Sequence, residues 1–297
     1  MRLPQKIFSM DNESSTTRIT FAHTKIRAVL AAASMGYCAT LHGAEIHDAA
    51  EKGNLEKVKA CLVQDSKQIN SADAKGRTVL VRAAIGGKKE IVNFLLEQGA
   101  TEDIFVAAMV GHTEKVAALL KQDPQLLNAR DRSGKAALHW AAFHGQVKVV
   151  ELLLAEKANV NLLDGDGFTA LHWAVMFNKR DVVEVLLANK ADTTIKVARF
   201  GWTPLRLAVI HGHRATAEVL LKNGADPNLE EEDQIPVLHQ AVICGRIEMI
   251  ELLLANKAAI NAQDSEGDTP MDEAVEVKRK DILDLLRQHG GKMRPAR

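Results

Sequence analysis

Aromatic residues are scarce in this chain. They make up 4% of its 297 residues, with a single tyrosine, and prolines number only seven. So few helix breakers, alongside abundant Ala, Leu, Glu and Lys, leave a composition suited to helices. Three cysteines, Cys38, Cys61 and Cys244, stand far apart without a C-x-x-C pair, so no disulfide framework is available and no oxidising compartment is required. Cys61 falls within an apolar helical run and reads as a small buried hydrophobe. Net charge is absent too, since 38 basic residues balance 38 acidic ones. That balance removes any general pull toward nucleic acid or acidic lipid. The sequence lacks G-x-x-x-x-G-K-[ST], G-x-S-x-G and H-E-x-x-H, and no Gly-rich loop opens a dinucleotide-binding unit. Its length exceeds one ordinary core, which leaves two domains or one elongated array.

Residues 1–44 stand apart from the rest. Lys25 and Arg27 precede an apolar stretch over 28–39, and small residues follow up to Gly43 and Ala44. Basic residues, a short apolar run and small residues form a secretory leader pattern. The run is too short to span a membrane, which takes about 20 residues. Cleavage near Ala44 would make the protein secreted or periplasmic; without cleavage it is expected in the cytoplasm. The competing reading is a polar tail leading into an amphipathic capping helix.

From residue 45 onward the chain repeats itself. GKAALHWAA at 134–142 recurs as GFTALHWAV at 167–175, GWTPLRLAV at 201–209, QIPVLHQAV at 234–242 and GDTPMDEAV at 267–275. The spacing is 33 residues, once 34, and GRTVLVRAA at 76–84 fits the same template. Each copy is followed by a second apolar segment ending in Leu-Leu. Thr169, Thr203 and Thr269 precede helical runs, where a hydroxyl caps free N–H groups. Pro204 and Pro270 then occupy the first turn, where a missing N–H costs nothing. His172 lies within reach of the Thr169 hydroxyl. Gly87, Gly111, Gly145, Gly212 and Gly245 end the first helix, with Asn178 serving in their place once.

This pattern resembles the ankyrin-repeat family. The resemblance covers residues 45–291 and implies an all-α solenoid of about eight helix pairs with short β-hairpin fingers. Approximate repeats are 45–72, 73–102, 103–130, 131–163, 164–197, 198–230, 231–263 and 264–291, with a tail over 292–297. Such units are stable only by stacking on their neighbours, so end repeats must be modified. Glu273, Glu276, Lys278, Arg279 and Lys280 supply the polar substitutions of a C-terminal cap. The third unit is short and should lack its finger. In the seventh, Gln234 replaces the finger glycine and Pro236 sits one place early.

Eleven histidines invite a catalytic or metal reading. His139, His172 and His239 recur at a capping position, which accounts for them without chemistry. His211 and His213 lack a third ligand at zinc spacing, and Asp164-Gly-Asp166 lacks the ligand set of a calcium loop. No cofactor, metal or catalytic residue is expected, so the protein reads as no enzyme.

Carried over onto this chain, the family's groove-facing helix positions hold Trp140, Phe143 and His144, then Trp173, Met176 and Phe177, then Leu207, Ile210 and His211, then Gln240, Ile243 and Cys244. Its finger positions hold Arg132, Lys135, Phe168, Arg199, Phe200, Trp202 and Ile235. All but Leu207, Gln240, Ile243 and Cys244 are expected to touch a partner, because large aromatics with arginine make binding hot spots. Their side chains are expected to be partly solvated in the free protein. The competing reading makes Trp140 and Trp173 ordinary packing between repeats. The expected function is a non-catalytic protein-binding scaffold, monomeric, without nucleic-acid binding or membrane insertion of the mature chain. Its rivals are a regulatory or inhibitory subunit that docks on an enzyme, and a structural spacer.

Overall fold

The computed structural model describes residues 45–198, 201–231 and 233–295. The leader over 1–44, Arg199 and Phe200 lie outside them. Sixteen α-helices among the described residues form eight antiparallel pairs. The first helices are α1 (Glu45–Lys52), α3 (Val79–Ile85), α5 (Ile104–Val110), α7 (Ala137–His144), α9 (Ala170–Met176), α11 (Pro204–His211), α13 (Val237–Ile243) and α15 (Pro270–Glu276). The second helices are α2 (Leu55–Gln64), α4 (Lys89–Glu97), α6 (Thr113–Gln122), α8 (Val147–Ala155), α10 (Arg180–Ala188), α12 (Arg214–Lys222), α14 (Ile247–Ala255) and α16 (Lys280–Gln288). First helices stack on first helices and second on second, as a solenoid requires.

Local chemistry explains each pair. Thr78, Thr169, Thr203 and Thr269 accept from the third N–H of their helices, as their placement predicts. Between the two helices of a unit, a left-handed residue makes the turn: Gly111, Gly145 and Gly212 take it, and Asn178 holds φ +52°. Leu153, Leu186, Leu220 and Leu253 lie fully buried where the second helices meet the first. At the ends of second helices Lys157, Lys190 and Lys257 adopt φ of +71°, +65° and +66°. That geometry costs a non-glycine residue about 1–2 kcal/mol. Neighbouring asparagines join the loops that follow: the side-chain oxygens of Asn128, Asn161, Asn228 and Asn261 each accept a backbone N–H 31 residues further on.

The fingers are tighter than hairpins. Asp131 Oδ1 accepts from the N–H groups of Ser133 at 2.8 Å and Lys135 at 3.0 Å. Asp73, Asp164 and Asp264 close their own turns in the same way. Ladder pairing is confined to one antiparallel bridge among the described residues, Ala72 with Thr78. Successive fingers also touch: a Cβ on Gly134, at φ +76°, would sit 2.5 Å from the Gly165 nitrogen. Glycine is therefore needed there for both conformation and space.

The third unit has no finger. Chain leaving α4 enters α5 almost at once, with Asp103 capping Val106 N–H at 2.8 Å. The loops after α2 and α6 carry 3-10 turns, Ser66–Asn70 and Pro124–Asn128. Among the described residues, no helix is long and apolar enough to cross a membrane.

Candidate partner-binding groove

Along the first-helix face, the finger aspartates of the fourth and fifth units meet the side chain nine residues later. In the fourth unit Trp140 Nε1–H donates to Asp131 Oδ2 at 2.9 Å, and in the fifth Trp173 Nε1–H donates to Asp164 Oδ2 at 2.9 Å. Lys135 reaches between them. Its ammonium lies 5.7 Å from the Trp140 ring, 4.8 Å from the Trp173 ring and 3.3 Å from Asp164. Cation, indoles and carboxylates thus satisfy one another inside the stack.

The consequence corrects the expectation of a solvated aromatic strip. Trp140 is 1% exposed and Trp173 4%, and Lys135, Phe168, Met176, Trp202 and Ile210 are buried as well. Repeat stacking covers them, and their polar tips are bonded internally, so the packing interpretation holds for the two tryptophans. Arg132 is exposed, with its guanidinium turned back to the Lys75 carbonyl at 3.5 Å. Phe143, His144, Phe177, His211 and Ile235 remain half-buried. Phe143 and Phe177 meet at 4.2 Å between ring centroids, and Phe143 rests on Trp173 at 5.5 Å. What reaches solvent is a shelf of Phe143, His144 and Phe177 built over a buried indole layer.

The histidines divide into two groups. His172 accepts at Nδ1 from Thr169, its Oγ1 2.8 Å away, and donates from Nε2 to the Ile195 carbonyl at 3.1 Å. His139 accepts from Ala136 N–H and donates to the Leu162 carbonyl at 2.8 Å. These rings tie each first helix to the loop that follows its own second helix. Burial holds His172 down to about 4, against two backbone bonds that raise it. His144 and His211 face the shelf side instead, and each has a buried Nε2 without a hydrogen-bond partner. Both are pushed down to about 4, first by burial, then by Lys179 for His144 and by His213 and Arg246 for His211. At neutral pH they are uncharged and extend the apolar surface. No three metal-binding side chains converge among the described residues.

Models of ankyrin repeats match residues 45–105, 103–164 and 156–231, and a further one matches 220–274. The chain belongs to the ankyrin-repeat family. It is similar to ankyrin repeat domain-containing protein SAT10 of Stachybotrys chartarum, 30% identical over 132 residues, which is 43% of this chain and 7% of that protein. DNA-binding protein RFXANK of Homo sapiens is 39% identical over 66 residues, 22% of this chain and 25% of the relative. Osteoclast-stimulating factor 1 of Monopterus albus is 40% identical over 57 residues, 19% and 26% respectively. The chain therefore matches about a quarter or less of the length of these relatives. Ankyrin repeats generally mediate protein–protein interaction.

The sixth ankyrin unit breaks the pattern twice. Val197 stands where the finger carboxylate belongs, and Arg206 replaces the coupling histidine. The seventh unit compensates. Glu231 accepts from Thr203 N–H at 3.0 Å and Thr203 Oγ1–H at 2.7 Å, and pairs with Arg206 at 2.9 Å. Arg206, 1% exposed, also pairs with Asp233 at 2.7 Å and donates to the Ile235 carbonyl and Gln240 Oε1. Burial pushes the Glu231 carboxyl up, while Arg206 and Thr203 pull it down. Glu231 and Asp233 of the seventh finger are thus engaged inside the stack. Their signal was the coincidence of an arginine at a histidine position with glutamate and aspartate one unit later.

Proposed function

We propose that this ankyrin solenoid is a non-catalytic module that holds a protein partner on the shelf formed by Phe143, His144, Phe177 and His211. The observation that carries this reading is the pair of half-buried phenylalanine rings mounted on internally satisfied tryptophans. A rigid aromatic surface loses little entropy on binding, which suits it to anchor a partner. Arg132, Arg199 and Phe200, from the finger positions, complete the proposed contact set; the buried Trp140, Trp173 and Lys135 support the shelf from below. The test is capture of binding proteins from the native host by the wild type and by Phe143→Ala and Phe177→Ala. Each variant should retain roughly tenfold less partner, about 1.4 kcal/mol, with circular dichroism unchanged. Equal capture by all three would refute the shelf as the binding face.

Export through the leader belongs to the same proposal, supported by Lys25, Arg27 and the apolar stretch 28–39. N-terminal sequencing from the host should begin near Ala44 or Glu45. Intact Met1 or Met10 in the cytosolic fraction would exclude it.

A further inference from the structure

Where each first helix turns into its second, one side chain folds back over the preceding unit. Gln146 donates to the Met109 carbonyl at 2.7 Å, His213 Nε2–H to the Met176 carbonyl at 3.3 Å and Arg246 to the Ile210 carbonyl at 3.2 Å. Arg279 reaches the Gly245 carbonyl at 3.4 Å, and Lys179 lays its stem over Gly145. The carbonyl end of a helix favours a cation there. What neutralises that cation differs from unit to unit. His112 meets Glu102 at 2.7 Å and Arg279 meets Asp281 at 2.8 Å, while Gln146 has no charge. Lys88, Lys179 and Arg246 meet no carboxylate among the described residues. Lys88 lies three units from Phe177, whereas Lys179 and Arg246 belong to the fifth and seventh units and edge the aromatic shelf.

We propose that the shelf takes an acidic segment of a partner protein, an extended stretch whose apolar residues lie on Phe143 and Phe177 and whose carboxylates reach Lys179 and Arg246. The proposal rests on the groove reading above and gives that partner a chemistry. Both cations are half-buried beside the rings, and Arg246 is already held in place by the Ile210 carbonyl. A charge fixed before binding loses little freedom when its partner arrives. Complementary charge of this kind sets the register of a partner as well as its choice.

The surroundings agree. The charged groups that bear on His144 reduce to Lys179, and those on His211 to His213 and Arg246, with no carboxylate among them. His211 and His213 stack with ring centroids 5.4 Å apart and planes 13° from parallel. Nε2 of His144, Nε2 of His211 and Nε of Arg246 are buried without a hydrogen-bond partner. Arg132, exposed on the finger side, has the same sign. The chain as a whole has no net charge to draw in a polyanion, so the match is to carboxylates at a set spacing rather than to a continuous phosphate chain. Packed helices lie about 8–10 Å apart, which puts Lys179 and Arg246, two units apart, at ~16–20 Å. An extended segment covers that distance in about five or six residues.

The test is selection on the full chain from a displayed library of random peptides, each about twelve residues long, at neutral pH and low salt. Bound sequences should be enriched in Asp and Glu beside Leu or Phe, with carboxylates about five or six positions apart. Made as acetylated amides, they should bind roughly tenfold more tightly than versions with Asn and Gln in place of the acids. That preference should shrink in about 1 M sodium chloride, where charges are screened beyond ~3 Å. Lys179→Gln combined with Arg246→Gln should erase it while both peptides still bind; Gln146 holds the same place in the fourth unit, so the substitutions suit the fold. Phe143→Ala should weaken both peptides alike. Neutral or basic peptides that still need Phe143 would leave the shelf standing and overturn the acidic partner, as would a preference that survives the double substitution. Acidic peptides indifferent to Phe143→Ala and Phe177→Ala would sink the shelf reading and the proposal with it. No enriched sequence, or tighter binding of a single-stranded oligonucleotide of equal charge, overturns the proposal as well.

Discussion

The fourth and fifth ankyrin units close on themselves, whereas the sixth is closed by its neighbour. In the former, an aspartate seals its own finger, a tryptophan N–H bonds that aspartate, and a neutral histidine reaches one carbonyl in the following loop. In the latter, the finger has no carboxylate and the histidine has become Arg206, which only Glu231, Asp233, Ile235 and Gln240 of the seventh unit satisfy. Changing two positions in one unit and the finger of the next therefore turns a hydrogen-bonded junction into an ionic one. The first kind is a sum of modest local bonds; the second fails as a whole when one member is removed.

That difference predicts the largest effect. Arg206→Ala leaves Glu231 buried without its cation and should cost about 3–5 kcal/mol in urea denaturation. Replacing both by methionine should be close to neutral, because a buried pair roughly balances its own desolvation. A loss below 1 kcal/mol for Arg206→Ala would show that the ionic junction holds nothing together. Trp140→Ala, in the self-closed region, should also cost about 3–5 kcal/mol through the cavity it leaves. Phe177→Ala, half-exposed on the same face, should cost less, about 1–2 kcal/mol. Trp202→Ala joins the destabilising class, since the ring is buried and lies 5.7 Å from the Arg206 guanidinium. Melting all three variants together separates supporting rings from binding ones.

The repeat itself was legible because it is written in local chemistry. Thr169 before a helical run, His172 three residues on and Lys190 at a helix end each act within a few residues, so spacing alone locates them. The accessibility of the aromatics was not, because it depends on what the adjacent repeat lays over them. Trp140 and Phe143 sit three residues apart on one helix, yet the first is sealed and the second reaches solvent. Pairings such as Trp140 with Asp131, or Lys135 with Asp164, become visible only once fingers and helices of neighbouring units are superposed in register. Arg206 was the hardest, since its partners lie 25–34 residues away in another unit.

Acid and base should loosen different parts of the stack. His172 is held down to about 4 in the folded protein, against an ordinary 6.5. The unfolded chain therefore binds the proton first, and the stability contributed by the neutral ring is complete above pH 6.5 and lost as pH falls toward 4. For this fully buried ring the loss is of the order of 3 kcal/mol. Amide exchange in α9 should therefore accelerate as pH drops from 6.5 to 4.5. Glu273 runs the other way. Its raised value means the folded state holds the proton longer, so its contribution is complete below pH 4.5 and lost as pH rises through about 7. Protection in α15 should accordingly be lower at pH 8 than at pH 5.5. Uniform exchange across α9 and α15 at each pH would remove the distinction.

The smallest effect concerns a single lone pair. His239 Nε2 donates to the Asp268 carbonyl of the next repeat at 2.9 Å, but its buried Nδ1 has no partner. In the fourth and fifth units that nitrogen accepts from the N–H of residue 136 or 169, three positions earlier. In the seventh the equivalent residue is Pro236, which has no N–H to give. Pro236→Thr would supply both the missing donor and a capping hydroxyl, in an extended backbone conformation close to that of Thr169. One hydrogen bond contributes about 0.5–1.5 kcal/mol and a threonine cap about 1 kcal/mol. Against this, losing proline frees the unfolded chain, at a cost of about 0.4–1 kcal/mol. The net expectation is a gain of about 1 kcal/mol, seen as a higher urea midpoint with unchanged slope. The same substitution in an Arg206→Met, Glu231→Met background separates the junctions. An equal gain there means that the histidine bond and the ionic cluster act independently; a gain present only with the cluster intact means that Pro236 positions the finger that Arg206 holds.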